Sequence, residues 1–158
     1  MLYSLDTNAL IDAWNEWYST YSHPTFWVKL EELARQGKLK ISDTVLWELE
    51  EIEGDALTEW CKDREGFLCY PSDQAIQSAV GDLLNRYRNF GSTGLGAKNY
   101  ADPFVVALAK QNSGCHVVTH ERATGNMNGP RIPDICRSEG IPIIRLPRLV
   151  QMEGWVFT

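Results

Sequence analysis

Long apolar runs are missing from this 158-residue chain. No window approaches the roughly 20 apolar residues that cross a bilayer, which excludes a helical membrane span. Asp6 and Asp12 interrupt the first apolar stretch and no basic segment precedes it, so the start does not read as a signal peptide. Cysteine is sparse and scattered, at Cys61, Cys69, Cys115 and Cys136, with no Cys-x-x-Cys pair. That spacing predicts buried or free thiols in a reducing cytoplasm, not a disulfide framework or a zinc site. His23, His116 and His120 likewise lack paired metal-ligand spacing. Positive charge is in deficit, with 15 Lys and Arg against 21 Asp and Glu, a net charge of −6 and a pI near 5.0. That balance argues against a broad basic surface gripping phosphates non-specifically. It does not exclude a nucleic-acid enzyme, because metal ions in an acidic pocket can hold phosphate themselves; a basic partner protein is a second way to carry this charge. The string GSTGLGAKN from Gly91 also fails as a phosphate loop, since Ala97 precedes Lys98 and Asn99 follows it.

What is present is an ordinary globular composition, 44% hydrophobic and 23% charged, of a length suited to one domain over residues 1–158. Short apolar runs alternate with helical patterns. Leu2–Leu5, Leu39–Ile41, Phe67–Tyr70, His116–Thr119 and Ile141–Leu146 read as strands. Helices are expected from Thr7, from Thr25 to Gly37, from Ser42 or Asp43 with Val45, Leu46, Leu49 and Ile52 inward, over Ala56–Lys62, from Asp73 to Tyr87, from Asp102, around Ile135–Ser138 and from Pro147. Trp14–Pro24 lacks periodicity and is expected to be a helix end and an exposed connection. The alternation predicts an α/β fold, a central parallel sheet between two helical layers.

Four carboxylates take comparable places in that scheme. Asp6 and Glu121 follow strands, and Glu48 and Asp102 lie near helix starts. Ligands of open parallel sheets bind outside the carboxyl ends of the strands, so all four can share one cleft. Clustered carboxylates repel, and Mg²⁺ or Mn²⁺, hard ions preferring oxygen, would relieve that repulsion. Each acid also has a plainer explanation: Asp6 and Asp102 as helix caps, Glu48 as part of the solvated acidic face with Glu50, Glu51 and Glu53, and Glu121 as a polar loop residue. At 100° per residue, however, Glu48 flanks the apolar stripe of its helix while Glu51 points nearly opposite.

These residues carry a resemblance. The opening YSLDTNALID is similar to the first motif of PIN-domain ribonucleases, a strand followed by Asp-x-Asn and a helix. VLWELEEI resembles the second motif and places Glu48 at its glutamate; YADPFVVALA resembles the third, with Asp102 at the helix-start aspartate. HVVTHE resembles the last strand motif, with Thr119 at its hydroxyl position and Glu121 at its final acid. The family usually has aspartate there, which leaves Asp134 in RIPDIC as a rival. The resemblance implies a metal-dependent endoribonuclease, often the toxin of a toxin–antitoxin pair and commonly a homodimer. Asp6, Glu48 and Asp102 would be Mg²⁺ or Mn²⁺ ligands, and Glu121 would bind a second ion or orient water. Asn8 and Thr119 would support the ligands or position RNA.

Arg86, Arg88 and Lys98 flank the glycine-rich loop and are candidate RNA contacts, or a solvated basic face. Trp47 lies opposite its helix's apolar stripe, which suggests a contact surface for another subunit or for stacked bases. Two other classes compete with the nuclease: a non-catalytic PIN-like protein-binding module, and a phosphohydrolase using an aspartyl nucleophile. The second typically wants another aspartate two positions after the first, where this chain has Asn8.

Overall fold

The structure, a computed structural model, describes residues 1–52, 55–91 and 99–157. Its first strand, β1 (Tyr3–Leu5), is buried at all three positions, and the Ser4 hydroxyl is accommodated by donating to the Val105 carbonyl at 3.0 Å. Asp6 ends the strand and caps α1 (Thr7–Asp12), accepting from the Thr7 N–H at 2.7 Å. The helix does not stop there. It continues as a π-helical segment through Ala13–Trp17, and the rings expected on an exposed connection pack inward instead. Trp14 meets Trp27 edge-on at 4.8 Å, and Trp17 lies 4.4 Å from the His120 ring. A π turn takes more residues than an α turn, so the 3.6-residue apolar rhythm breaks where the chain is still helical.

Helix α2 (Pro24–Arg35) opens with proline, buries Phe26, Trp27, Leu30 and Leu33, and leaves Val28 exposed. Gly37, at φ +72°, lets the chain reverse into β2 (Leu39–Ser42). In α3 (Asp43–Ile52), Val45, Leu46 and Leu49 face inward, but Ile52 is exposed at the last position of the helix. Ser42 supplies the cap, its hydroxyl accepting from the Thr44 N–H at 3.2 Å. Asp43 instead holds the N–H and hydroxyl of Ser72. After α4 (Ala56–Lys62), α5 (Glu65–Leu68) takes up Phe67 and Leu68, so the third strand shrinks to β3 (Cys69–Tyr70). Asp73 caps α6 (Gln74–Arg86) through the Ile76 N–H at 2.9 Å. Helix α7 (Asp102–Lys110), β4 (His116–Val118), α8 (Ile132–Glu139), β5 (Ile143–Ile144) and α9 (Leu146–Met152) complete the chain. The last strand is shorter than expected because Leu146 already opens α9.

All five strands are parallel, in the order β3-β2-β1-β4-β5. The chain runs from β1 to β2 to β3 in one direction across the sheet, and with the right-handed crossovers that parallel strands follow as a rule α1–α5 lie on one face. The return through α6 and α7, and then α8, covers the other face. This is the three-layer α/β/α arrangement. The chain leaves β1 one way and β4 the other, so the crevice between their carboxyl ends is the topological switch point. Asp6 and Thr119-His120-Glu121 follow those two strand ends.

All four cysteines are free, and burial pushes each thiol up to about 12, so none is a thiolate near neutrality. Among the described residues no helix is long and apolar enough to cross a membrane.

Candidate metal centre

Asp6 is buried at the switch point. One of its oxygens accepts from the Thr7 N–H, and the other accepts from the Thr119 hydroxyl at 2.8 Å. Thr119 in turn accepts from the Glu121 N–H at 3.1 Å. Asn8 Oδ1 accepts from the His120 N–H at 3.0 Å, tying the first turn of α1 to the loop after β4. The Asp-x-Asn spacing therefore sends one side chain to the acid centre and the other to the neighbouring strand's exit.

Asp102 is 5% exposed and is not the cap it was expected to be. Ala101 occupies the cap position and Asp102 is the first residue of α7, with Pro103 behind it. Its carboxylate accepts no hydrogen bond from any described residue. Capping therefore does not explain Asp102. Burial first, then the charges of Asp6, Glu121 and Glu48, push its carboxyl well above the ordinary carboxylate range; Arg131 opposes this only in part. Burial raises Asp6 as well, reinforced by Glu121 and Glu48 and opposed by its two hydrogen bonds.

Glu48 sits in the middle of α3, not near its start, half-buried beside Val45 and Leu49, while Glu51 is exposed. The Ala101 N–H donates to its Oε2 at 2.9 Å, which joins α3 to the start of α7. Burial and the charge of Glu121 raise its carboxyl, with the Ala101 bond lowering it. Glu121 is held firmly: Arg131 Nη2 donates to one oxygen at 2.6 Å and the Ile132 N–H to the other at 3.1 Å. Sequence reasoning did not single out Arg131, and its place just before the helix in RIPDIC was the available signal.

Asp134 lies apart from this group. It is the third residue of α8, not its cap, and holds the N–H groups of Arg131, Thr124 and Gly125 and the Thr124 hydroxyl. It fastens the loop between β4 and α8.

The donor chemistry fits a hard divalent cation. Asp6, Glu48, Asp102 and Glu121 are mutually repelling carboxylates, and Asp102 accepts no hydrogen bond from a described residue. Thr7 Oγ1, next to Asp6, is buried with no hydrogen-bond partner among the described residues, an oxygen free to face such an ion. The side chains are not drawn together around one point, however: no three His, Cys, Asp or Glu among the described residues are arranged to hold an ion as they stand. Glu48 is turned to the Ala101 N–H and Glu121 to Arg131, so gathering around a cation requires these side chains to rotate.

The expected RNA contacts are not gathered here. Arg86 is paired with Glu139 at 2.7 Å, where Lys110 and Tyr87 also bind. Lys110 ends α7, about 12 Å along the helix from Asp102 at 1.5 Å per residue. Arg88 is exposed in the turn after α6, and Lys98 lies outside the described residues. Trp47 is half-buried and meets Tyr100 edge-on at 5.7 Å, so part of its ring is already covered.

Replacing Glu121 with Gln keeps the shape of the side chain but weakens the ion pair with Arg131. The expected result is a folded protein whose metal affinity drops about 10–100-fold, as when a group supporting metal ligands is altered. Calorimetric Mn²⁺ titration checks this, and an unchanged affinity removes Glu121 from the centre.

Among solved structures, the chain is similar to VapBC2 from Rickettsia felis bound to a DNA fragment from their promoter. Identity is 19% over 92% of this chain and 98% of the other, with a TM-score of 0.52. It is also similar to FitAcB from Neisseria gonorrhoeae, with 14% identity over 90% of this chain and 96% of the other and a TM-score of 0.50. At these identities the likeness concerns the fold, and it agrees with the PIN resemblance of the motifs. The comparison with curated proteins found no match. A family model described as "Domain of unknown function (DUF4411)" matches residues 3–157, nearly the whole length, and the chain belongs to that family, with a PIN-like α/β fold.

Proposed function

We propose that the protein is a metal-dependent endoribonuclease, and that it serves as the toxin of a toxin–antitoxin pair. The observation that carries this reading is the Asp102 carboxylate, buried beside Asp6 with no donor among the described residues and no capping role. A fold keeps such a charge at a cost in stability. Asp6, Glu48 and Asp102 would hold Mg²⁺ or Mn²⁺. The bound ion supplies an acidified water and stabilises charge on the phosphate. The protein's own part is orientation. Thr7 and Thr119 fix both oxygens of Asp6, Asn8 sets the loop carrying Thr119 and Glu121, and Arg131 aims Glu121. Glu121 in this reading orients water or a second ion.

The aspartyl-nucleophile alternative is weakened by Asn8, whose side-chain oxygen is occupied by the His120 N–H. A purely protein-binding role leaves the buried acids unexplained. A basic antitoxin suits a chain of net charge −6, and a second copy of the chain is the other partner this reading carries. The test is purified protein with total RNA, with Mn²⁺, with Mg²⁺ and with excess chelator, followed by mapping of the cut ends. Discrete new ends are expected only with metal. No cutting under any condition, or undiminished cutting in chelator, rejects the reading.

A further inference from the structure

A groove of about 650 Å³ opens beside the acids, between the end of β5 and α9. Thr119 and Glu121 form its inner wall, Ile144 and Pro147 part of its floor, and Arg145 and Arg148 its rim. Both arginines are exposed, and neither pairs with a carboxylate among the described residues. Arg35, Arg64, Arg86 and Arg131 are each committed to a glutamate; Arg88, Arg122 and Arg137 are unpaired among the described residues too, but they do not line the groove. Among the described residues the Arg148 guanidinium donates to the Gln151 side-chain oxygen alone, at 3.3 Å.

Arg145 is held in place from below. Its guanidinium lies 5.5 Å over the Trp17 ring, and Trp17 lies on His120 at 4.4 Å. His120 is 9% exposed and fixed at three points: its N–H by Asn8, Nδ1 by Asp12 at 2.9 Å, and Nε2 by the Leu146 N–H at 3.5 Å. With Nε2 accepting, Nδ1 carries the proton and donates to Asp12. A continuous stack thus runs from the Asp-x-Asn turn through His120 and Trp17 to Arg145. The π-helical segment thus places Trp17 between His120 and Arg145, a contact the acid centre does not require.

Two uncommitted arginines on the lip of an acidic cleft are suited to an anion that spans both. We infer that this groove seats single-stranded RNA, with Arg145 and Arg148 on backbone phosphates next to the one at the acid centre, and Trp17 positioning Arg145. Guanidinium groups match phosphate in bidentate geometry, and the apolar floor suits a ribose and base edge. The inference rests on the nuclease reading for its choice of ligand, but the groove can be tested without any cleavage.

The experiment uses full-length protein carrying Asp102→Asn, a labelled mixed-sequence single-stranded RNA, and anisotropy titrations over a range of salt. Adding Arg145→Gln and Arg148→Gln should weaken binding about tenfold or more and flatten the slope of log K against log salt by about 1.4, the value for two lost phosphate contacts on a single strand. Calorimetric Mn²⁺ titration of Arg145→Gln/Arg148→Gln without the Asp102 change should match the unsubstituted protein, and Arg86→Gln/Arg88→Gln should leave RNA binding unaltered. The lysine pair Arg145→Lys/Arg148→Lys should keep the salt slope. Trp17→Ala should weaken binding less than loss of both arginines, and no further once they are gone. Arginine-dependent binding, with no cutting by the unsubstituted protein in Mn²⁺ or Mg²⁺, upholds the groove and rejects the nuclease. Metal-dependent cutting with affinity and salt slope untouched by the arginine changes does the reverse, and a groove that captures acidic peptide but no RNA overturns the RNA-seating role.

Discussion

Asp102→Asn is expected to abolish most RNA cleavage while making the metal-free protein more stable. The two effects have one cause. The carboxylate is buried, accepts no hydrogen bond from a described residue, and feels the charges of Asp6, Glu121 and Glu48, so its ionised form is penalised in the fold. The unfolded chain ionises this group near the ordinary aspartate value of 3.8, whereas the folded chain holds the proton to higher pH. Between those points the native state binds more protons than the unfolded state, so stability falls as pH rises above about 4 toward neutrality. The amide removes that dependence and should raise stability near pH 7 by about 1–3 kcal/mol in chelator. It also removes an anionic ligand, so Mn²⁺ affinity and cleavage should drop together, cleavage by about 10²–10³-fold, the usual cost of one lost charge-stabilising group. Combining it with Asp6→Asn should cost less than the product of the single losses, because one site supplies one function. Urea unfolding across pH, calorimetric Mn²⁺ titration and an RNA-cleavage assay read all three. Full activity in Asp102→Asn ends the metal-nuclease reading, and unaltered stability at neutral pH contradicts the electrostatic account.

Asp134→Ala is expected to be the most destabilising of the acid substitutions, with no direct effect on the metal centre. Burial alone would raise this carboxyl, but the N–H groups of Thr124, Arg131 and Gly125 and the Thr124 hydroxyl outweigh it and hold it at about 2. With the folded value below the unfolded one, the contribution is fully present above pH 4 and is lost as pH falls from about 4 toward 2. Losing a buried carboxylate with several charge-assisted bonds should cost about 2–4 kcal/mol, more than a single helix cap at about 1 kcal/mol. The same loop carries Glu121, so Asp134→Asn, which keeps part of the hydrogen bonding, is the control for cleavage. Urea midpoints at pH 7 and pH 3 should differ less in Asp134→Ala than in the unsubstituted protein. An equal acid sensitivity in both would show that the carboxylate does not carry the effect.

The two assignments, Asp102 to the cleft and Asp134 to a loop, differ in how far the sequence could separate them. Both precede or enter helices next to proline, and capping explains either one on local grounds. Capping depends on the backbone angles of one residue, and these are settled by how the preceding loop arrives. Only the fold shows Ala101 and Arg131 at the cap positions. Glu48 was better placed for prediction, because helical geometry already puts it beside the inward stripe and Glu51 away from it.

The sequence by itself determined the alternation of strands and helices, hence the parallel sheet, and the positions of Asp6 and Glu121 just after two of its strands. Those features follow from local apolar rhythm and from turn chemistry, which act over a few residues. Tertiary structure alone decided which strand exits are neighbours, and so which distant acids meet. It also paired Glu121 with Arg131, turned Arg86 toward Glu139 and stacked Trp17 between His120 and Arg145. Each of these contacts joins residues that the sheet order brings together, and no pattern along the chain encodes the distance between them.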